Sequence, residues 1–216
     1  MAICNDRWIY DQCQDPDLPL IKPFYDTSRS QLPNGQKVPS FGLSSFGYDV
    51  SLGNKFTPFR SLKEDQVYVY TIGDKQYTQV VEKAQADSVI DVCNFYGNLT
   101  ECIYNVDTIT IPPGGFMLGV TNEYFNMRRN TLGICTGKST VARSALHVVV
   151  TPAEPGWSGY LTLEIQNMSA LPVKLTSGMG ITQLVFIAGS EPHTSYADRG
   201  GKYQNQGFEP VLPRQK

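Results

Sequence analysis

Gly159-Tyr160-Leu161-Thr162-Leu163-Glu164-Ile165-Gln166 changes side-chain character at nearly every step. In an extended strand Leu161, Leu163 and Ile165 share one face and Tyr160, Thr162, Glu164 and Gln166 the other, because successive side chains point to opposite sides. The stretch is a strand with one face in a core and a carboxylate on its polar face. Upstream, Gly137-Lys138-Ser139-Thr140-Val141-Ala142-Arg143 reads as a helix start behind an open glycine. Its lysine, hydroxyls and unpaired N–H groups suit an anion such as phosphate. These two pieces concentrate the chemistry, and the remainder reads as their scaffold.

Outward from them the β pattern continues. Residues 146–187 hold further short strands, with turns at Glu154-Pro155-Gly156 and Ser177-Gly178. Ile109-Thr110-Ile111-Pro112-Pro113-Gly114-Gly115-Phe116-Met117-Leu118-Gly119-Val120 is strand, Pro-Gly turn, strand. Between 67 and 110 β-branched and aromatic residues dominate, with breaks at Gly73-Asp74 and Gly97-Asn98, so short strands and hairpins are expected, with room for a short helix around 80–86. Tyr48-Asp49-Val50-Ser51-Leu52-Gly53-Asn54-Lys55-Phe56 reads as a strand ended by a turn, with Asp49 structural rather than catalytic. Asn5 or Asp6 caps a short helix to about Cys13 that sets Trp8, Ile9 and Cys13 on one side. Residues 15–42, punctuated by Pro and Gly, read as an irregular arm without visible chemistry. The expected fold is mainly β, an antiparallel barrel or jelly roll with few short helices. One domain should span 1–190, with 1–47 as its helix and arm. The tail 191–216 is rich in aromatic and cationic residues but lacks a core period, so it is either a disordered end or a lid over an anionic ligand.

Composition narrows the function. At 216 residues and 41% hydrophobic the chain can bury a real core, and a net charge of −2 argues against a nucleic-acid or anionic-membrane binder. No long apolar run or signal-type segment is present, which points to a cytoplasmic protein with a small-molecule partner. Cys4, Cys13, Cys93, Cys102 and Cys135 form no C-x-x-C pair and read as reduced, mostly buried thiols. The sequons at Asn98 and Asn167 read as chance. Gly133 and Gly137 enclose one residue too few for a P-loop. With only His147 and His193, a zinc nucleobase deaminase and a His-based nucleophilic triad are both unsupported. His147 lies in an apolar run and reads as a strand histidine. No metal-ligand set is visible. The hydroxyls and cation near 137–143, the carboxylate at 164 and the ring of Trp157 are the parts of a nucleotide site.

In order along the chain, Tyr48-Asp-Val-Ser-Leu-Gly-Asn54, Ile111-Pro-Pro-Gly114, Gly137-Lys-Ser-Thr-Val-Ala-Arg143, Thr151 with Glu154-Pro-Gly-Trp-Ser-Gly159, Leu161-Thr-Leu-Glu-Ile-Gln-Asn167, Leu171-Pro172, Gly178-Met-Gly-Ile-Thr-Gln-Leu184 and Tyr196-Ala-Asp-Arg-Gly-Gly-Lys-Tyr-Gln-Asn-Gln206 resemble the dCTP deaminase family. Residues 60–106 match none of its motifs. The resemblance implies a dUTPase-like β fold in a homotrimer, with sites at subunit boundaries, dCTP as substrate and no zinc. Mg²⁺ would be carried on the triphosphate. Glu164 would be the general base, with Ser139 and Arg143 holding the water and the developing charge. Lys138, Thr140, Lys202 and Gln206 would meet the triphosphate, while Thr151, Pro152, Glu154, Trp157, Gln183 and Tyr196 would complete the binding set. Two positions depart from the family pattern: Glu154 replaces an aspartate in a shortened turn, and Pro152 replaces an alanine and lacks its N–H. The resemblance leaves room for dTTP or dUTP binding. It also leaves open a bifunctional deaminase that cleaves the triphosphate, or a plain dUTPase, although Arg143 favours deamination. From composition alone, a trimeric β structural protein stays open as well.

Overall fold

The computed structural model describes residues 1–92, 95 and 100–214. The expected Gly97-Asn98 turn, the Asn98 sequon, Cys93 and the last two tail residues lie outside the described residues. In chain order the elements are β1 (Ala2–Ile3), α1 (Asp6–Cys13), β2 (Ile21–Lys22), β3 (Arg29–Gln31), β4 (Lys37–Ser44), β5 (Gly47–Pro58), β6 (Gln66–Ile72), β7 (Lys75–Val81), β8 (Ile103–Tyr104), β9 (Thr108–Ile111), β10 (Phe116–Asn126), β11 (Thr131–Gly137), α2 (Ser139–Arg143), β12 (Leu146–Val149), β13 (Ser158–Asn167), β14 (Val173–Thr176) and β15 (Gly180–Ala188). The helix α1 begins where Asn5 accepts a 3.0 Å hydrogen bond from the Trp8 N–H, and it buries Ile9.

The strands pair antiparallel in a curled sheet ordered β1-β15-β5-β10-β13-β12, with a smaller sheet ordered β14-β9-β6-β7. The curl turns on β5, whose first half pairs with β15 and whose second half pairs with β10. Strand β13 buries Leu161, Leu163 and Ile165, as its alternation requires. Leu163 and Ile165 enter a core with Phe56, Tyr68, Ile109 and Met117 beneath the smaller sheet. Leu161 joins a second core with Ile9, Tyr48, Phe125, Trp157 and Phe186.

Strand β10 carries a bulge at 121–123 that shifts its register against β5 and β13. Inside it Glu123 is wholly buried, accepting from the Ser51 hydroxyl at 2.7 Å and the Ser51 N–H at 3.0 Å. Burial pushes its carboxyl up to about 7.

Four local readings are revised. No helix forms at 80–86, because Gln66–Val81 to Ile72–Lys75 pair across the Gly73-Asp74 turn and the ladder overrides local preference. Strand β5 passes Gly53 and continues to Pro58, since β10 pairs with it up to that residue. The arm holds β2, β3 and β4, and its Phe41 is buried. Cys4, Cys13, Cys102 and Cys135 are free thiols, but Cys102 is exposed. Asn167 is fully buried and donates to the carbonyls of Ile111, Pro112 and Leu171, so its sequon is internal. Among the described residues no helix is long and apolar enough to cross a membrane.

Candidate active site

The face of β13 that carries Tyr160, Thr162 and Glu164 is covered by the tail. Tyr160 meets Phe208 edge-on, with centroids 5.1 Å apart. Thr162 Oγ1 accepts from Gln206 Nε2 at 2.7 Å and from the Val211 N–H at 3.1 Å. The tail backbone pairs with the strand, Asn205 N–H donating to Ser158 O and Tyr160 N–H to Gln206 O. Residue 159 must be glycine: its φ is +151°, and an added Cβ would lie 2.8 Å from the Gln206 nitrogen. Further back, Trp157 Nε1 donates to Tyr203 O at 2.7 Å, and Tyr203 N–H donates to Tyr196 Oη at 3.0 Å. Gly201 packs so closely on the Tyr196 ring that a Cβ there would collide with it. Arg129 bonds both carboxylate oxygens of Asp198, and Arg199 pairs with Glu154, so two ion pairs tie the tail root to the domain.

Beneath the tail is a cavity of about 580 Å³. Its polar border is Thr151, Glu154, Thr162, Glu164, Tyr196 and Gln206, and Phe59, Phe116, Leu118 and Trp157 form much of its apolar wall. Pro152 also lines it, and as a proline it has no N–H to donate there. Glu164 Oε2 is shielded from solvent and has no hydrogen-bond partner. Burial pushes this carboxyl up to about 7. Burial of Cys135 itself, and then the Glu164 carboxylate nearby, pushes that thiol up to about 12. A carboxyl poised at neutrality can take a proton and pass it on, which is what general acid–base chemistry near pH 7 needs.

Of the residues singled out from sequence, the cavity gathers Thr151, Pro152, Glu154, Trp157, Glu164, Tyr196 and Gln206. It does not gather Lys138, Ser139, Thr140, Arg143, Gln183 or Lys202. Ser139, Thr140, Arg143 and Lys202 are exposed. Lys138 Nζ is bonded to Asp49 Oδ2 at 2.7 Å and to Ser40 Oγ at 3.2 Å. Gln183 Nε2 donates to Ser44 Oγ. At five residues, α2 is too short to develop an appreciable macrodipole, so any attraction for an anion there falls to side chains. Apart from Trp157, the apolar wall escaped the sequence reading. Leu118 lies opposite Glu164 in the β10–β13 register, a relation that no local pattern reveals. Among the described residues no group of three or more His, Cys, Asp or Glu side chains is placed to hold a metal ion.

The structure is a curled antiparallel β domain with a shielded carboxyl, raised toward neutrality, at a largely apolar cavity under its own tail. Comparison with known proteins supplies the family. The chain belongs to the dCTP deaminase-like family, whose model matches residues 28–189 and runs through the 60–106 stretch left unassigned by motifs. It is 40% identical over 208 residues to a dCTP deaminase of Protochlamydia amoebophila, covering 95% of this chain and 96% of the relative. It is 39% identical over 215 residues to that of Halorhodospira halophila, covering 99% and 100%. Among solved structures, the 2'-deoxycytidine 5'-triphosphate deaminase of Agrobacterium tumefaciens shares the fold with a TM-score of 0.55 at 16% identity, over 87% of this chain. This chain spans about half, 46%, of that one.

Proposed function

We propose that the protein deaminates dCTP to dUTP and ammonia, with water activated by Glu164. The carrying observation is the shielded, unpartnered Glu164 oxygen at the cavity, raised to about 7. Water is a weak nucleophile, and a positioned base contributes about 10²–10⁴ in rate. Glu164 takes a proton from the water as its oxygen bonds to C4 of cytosine, and the C4–N3 π pair is protonated at N3 through the same carboxyl. The C4 hydroxyl then gives its proton through Glu164 to N4, the C4–N4 bond breaks, and ammonia leaves as the C4 carbonyl forms. The Pro152 carbonyl can accept from the water, and Thr151 and Glu154 border the same space. The apolar wall receives the ring, whose faces need no hydrogen bonds.

Ser139 and Arg143, exposed on α2, complete the site when a second copy brings its α2 to this cavity, with Arg143 balancing the developing charge. A closed homotrimer supplies that arrangement three times by symmetry. Thr140 and Lys202 expose polar ends suited to a triphosphate, and Gln206 orders the tail above it. Among the described residues these positions offer cations and hydroxyls rather than a carboxylate cluster, which fits magnesium arriving with the triphosphate as part of the substrate. Chromatography of the products from dCTP and Mg²⁺ tests the reading: dUTP and ammonia in equal amounts are expected. Accompanying dUMP and diphosphate would reveal added triphosphate cleavage. Unchanged dCTP would overturn the proposal.

A further inference from the structure

The chemistry proposed for Glu164 uses the polar edge of cytosine, N3 and N4. It leaves the C5–C6 edge, which bears no hydrogen-bonding group, to an apolar surface. The tail supplies part of that surface by doubling back on itself. Its outgoing limb is held where Gln206 Nε2 donates to Thr162 Oγ1 at 2.7 Å, and its returning limb puts the Val211 N–H on the same oxygen at 3.1 Å. One hydroxyl thus engages both of its lone pairs, one for each limb. At the turn between the limbs Phe208 packs on Tyr160, with Lys55 Nζ over its ring at 5.1 Å from the centroid. The end then closes on the beginning. The Arg214 N–H donates to Tyr203 Oη and Arg214 Nη1 to Lys202 O, each at 3.2 Å, and the guanidinium stands 5.9 Å from the centre of the Tyr203 ring. Residues 202–214 therefore form a compact loop whose ends meet and whose own side chains pack it, a form that surface loops with a function often take.

We propose that the returning limb is a wall for the nucleoside end of dCTP, with Val211 and Pro213 as specificity-determining residues and Arg214 as the positioning residue that holds them there. The inference rests on the dCTP deaminase reading and deepens it. Val211 and Pro213 line the cavity together with Phe59, Phe116, Leu118 and Trp157. A phosphate calls for cations or free N–H donors. This limb brings neither to the cavity, since the Val211 N–H is engaged by Thr162 and proline has none. An aliphatic wall suits instead the C–H edge of a pyrimidine, where contact needs no donor or acceptor. The tail so divides its work, with the exposed Lys202 on the side of charge and the returning limb on the side of the ring. Arg214 does not line the cavity and acts only through the limb it fastens. Its clasp is exposed, where such contacts are weak, so Thr162 carries more of the anchorage than Arg214 does.

The test compares the full-length chain with Val211→Ser, Arg214→Ala, Arg214→Lys, the pair Val211→Ser with Arg214→Ala, and a chain ending at Gly207, which keeps Lys202 and Gln206. Binding of dCTP and of magnesium-bound inorganic triphosphate is measured by calorimetry in a Glu164→Gln background, and turnover of dCTP is followed without that change. The shortened chain should bind dCTP about fivefold or more weakly and Val211→Ser about threefold or more weakly, while triphosphate binding stays within about twofold, because lost apolar contact acts on the ring alone. Arg214→Ala should weaken dCTP about twofold in the same pattern, and Arg214→Lys, which keeps a cation over the Tyr203 ring, should restore most of the loss. Adding Arg214→Ala to Val211→Ser should change little further, the non-additivity of a residue that acts through its neighbour. Unchanged dCTP binding in Val211→Ser would overturn the wall. So would triphosphate binding that weakens in step with dCTP, since the limb would then serve the phosphates. Full additivity of the pair would overturn the positioning role of Arg214. Should the shortened chain fail to fold, the point variants with unchanged melting temperature decide the matter. A full-length chain that leaves dCTP unchanged would instead overturn the functional reading on which the inference rests.

Discussion

Glu164→Gln keeps the side chain's size and removes its basicity, which separates chemistry from binding and from stability. Burial moves this carboxyl from 4.5 up to about 7. Such a displacement corresponds to about 3 kcal/mol against the ionised form, or about 2 kcal/mol once the solvent that still reaches a half-buried side chain is allowed for. The folded-state value is raised, so the stabilising neutral form is fully present below about 4.5 and is lost as the pH rises through about 7. Above that range the wild type carries the cost of a sheltered charge and the glutamine variant does not. Glu123 titrates in the same range but is common to both proteins, so it cancels in the comparison. Turnover should fall by about 10²–10⁴, while dCTP affinity stays close to wild type. At pH 8 the variant should melt about 4–8 °C higher, and the gain should vanish near pH 4.5. Ammonia release, calorimetric dCTP binding and scanning calorimetry at the two pH values make the comparison. More than about a tenth of wild-type turnover would refute the base assignment. An equal melting difference at both pH values would refute the account of its burial.

In the wild type, kcat/KM should fall on the acid side of about pH 7 as Glu164 takes up a proton, and a profile flat down to pH 5 would contradict this. Removing the residues after Gly201 takes away the Tyr203, Gln206, Phe208 and Val211 contacts with β13 and Trp157. That truncation should cut kcat/KM at least about tenfold while the cores keep the domain folded, and undiminished deamination would make the tail a bystander. Light scattering should give three times the mass of the chain, and an active monomer would exclude a site shared between copies. A zinc-selective chelator should leave turnover unchanged, whereas removing magnesium should weaken dCTP binding. Stoichiometric zinc in active protein would contradict the mechanism.

What was legible in the sequence was local. The alternation of Leu161, Leu163 and Ile165 against Thr162 and Glu164 is set by strand geometry alone, and the cap at Asn5 by one side-chain bond. The parts that escaped are those defined by pairing over distance. Leu118 beside Glu164 depends on the β10–β13 register, and Asp49 meets a lysine 89 residues away. The helix expected at 80–86 failed for the same reason, since its residues up to Val81 are committed to β6. Glu123 did leave a signal: Thr121-Asn122-Glu123 interrupts the apolar run of β10, which is how a polar bulge in a buried strand reads. The tail shows no core period because main-chain bonds and a few rings, rather than an apolar face, hold it to β13.

The central claim is that Glu164 activates a water that attacks C4 of cytosine. Running the reaction in ¹⁸O-water and weighing the products tests it most directly. The account predicts one ¹⁸O atom on the uracil ring of every dUTP formed, none on its phosphates, and loss of labelled product in Glu164→Gln. Uracil formed without the ring label, or label confined to phosphate, would contradict it.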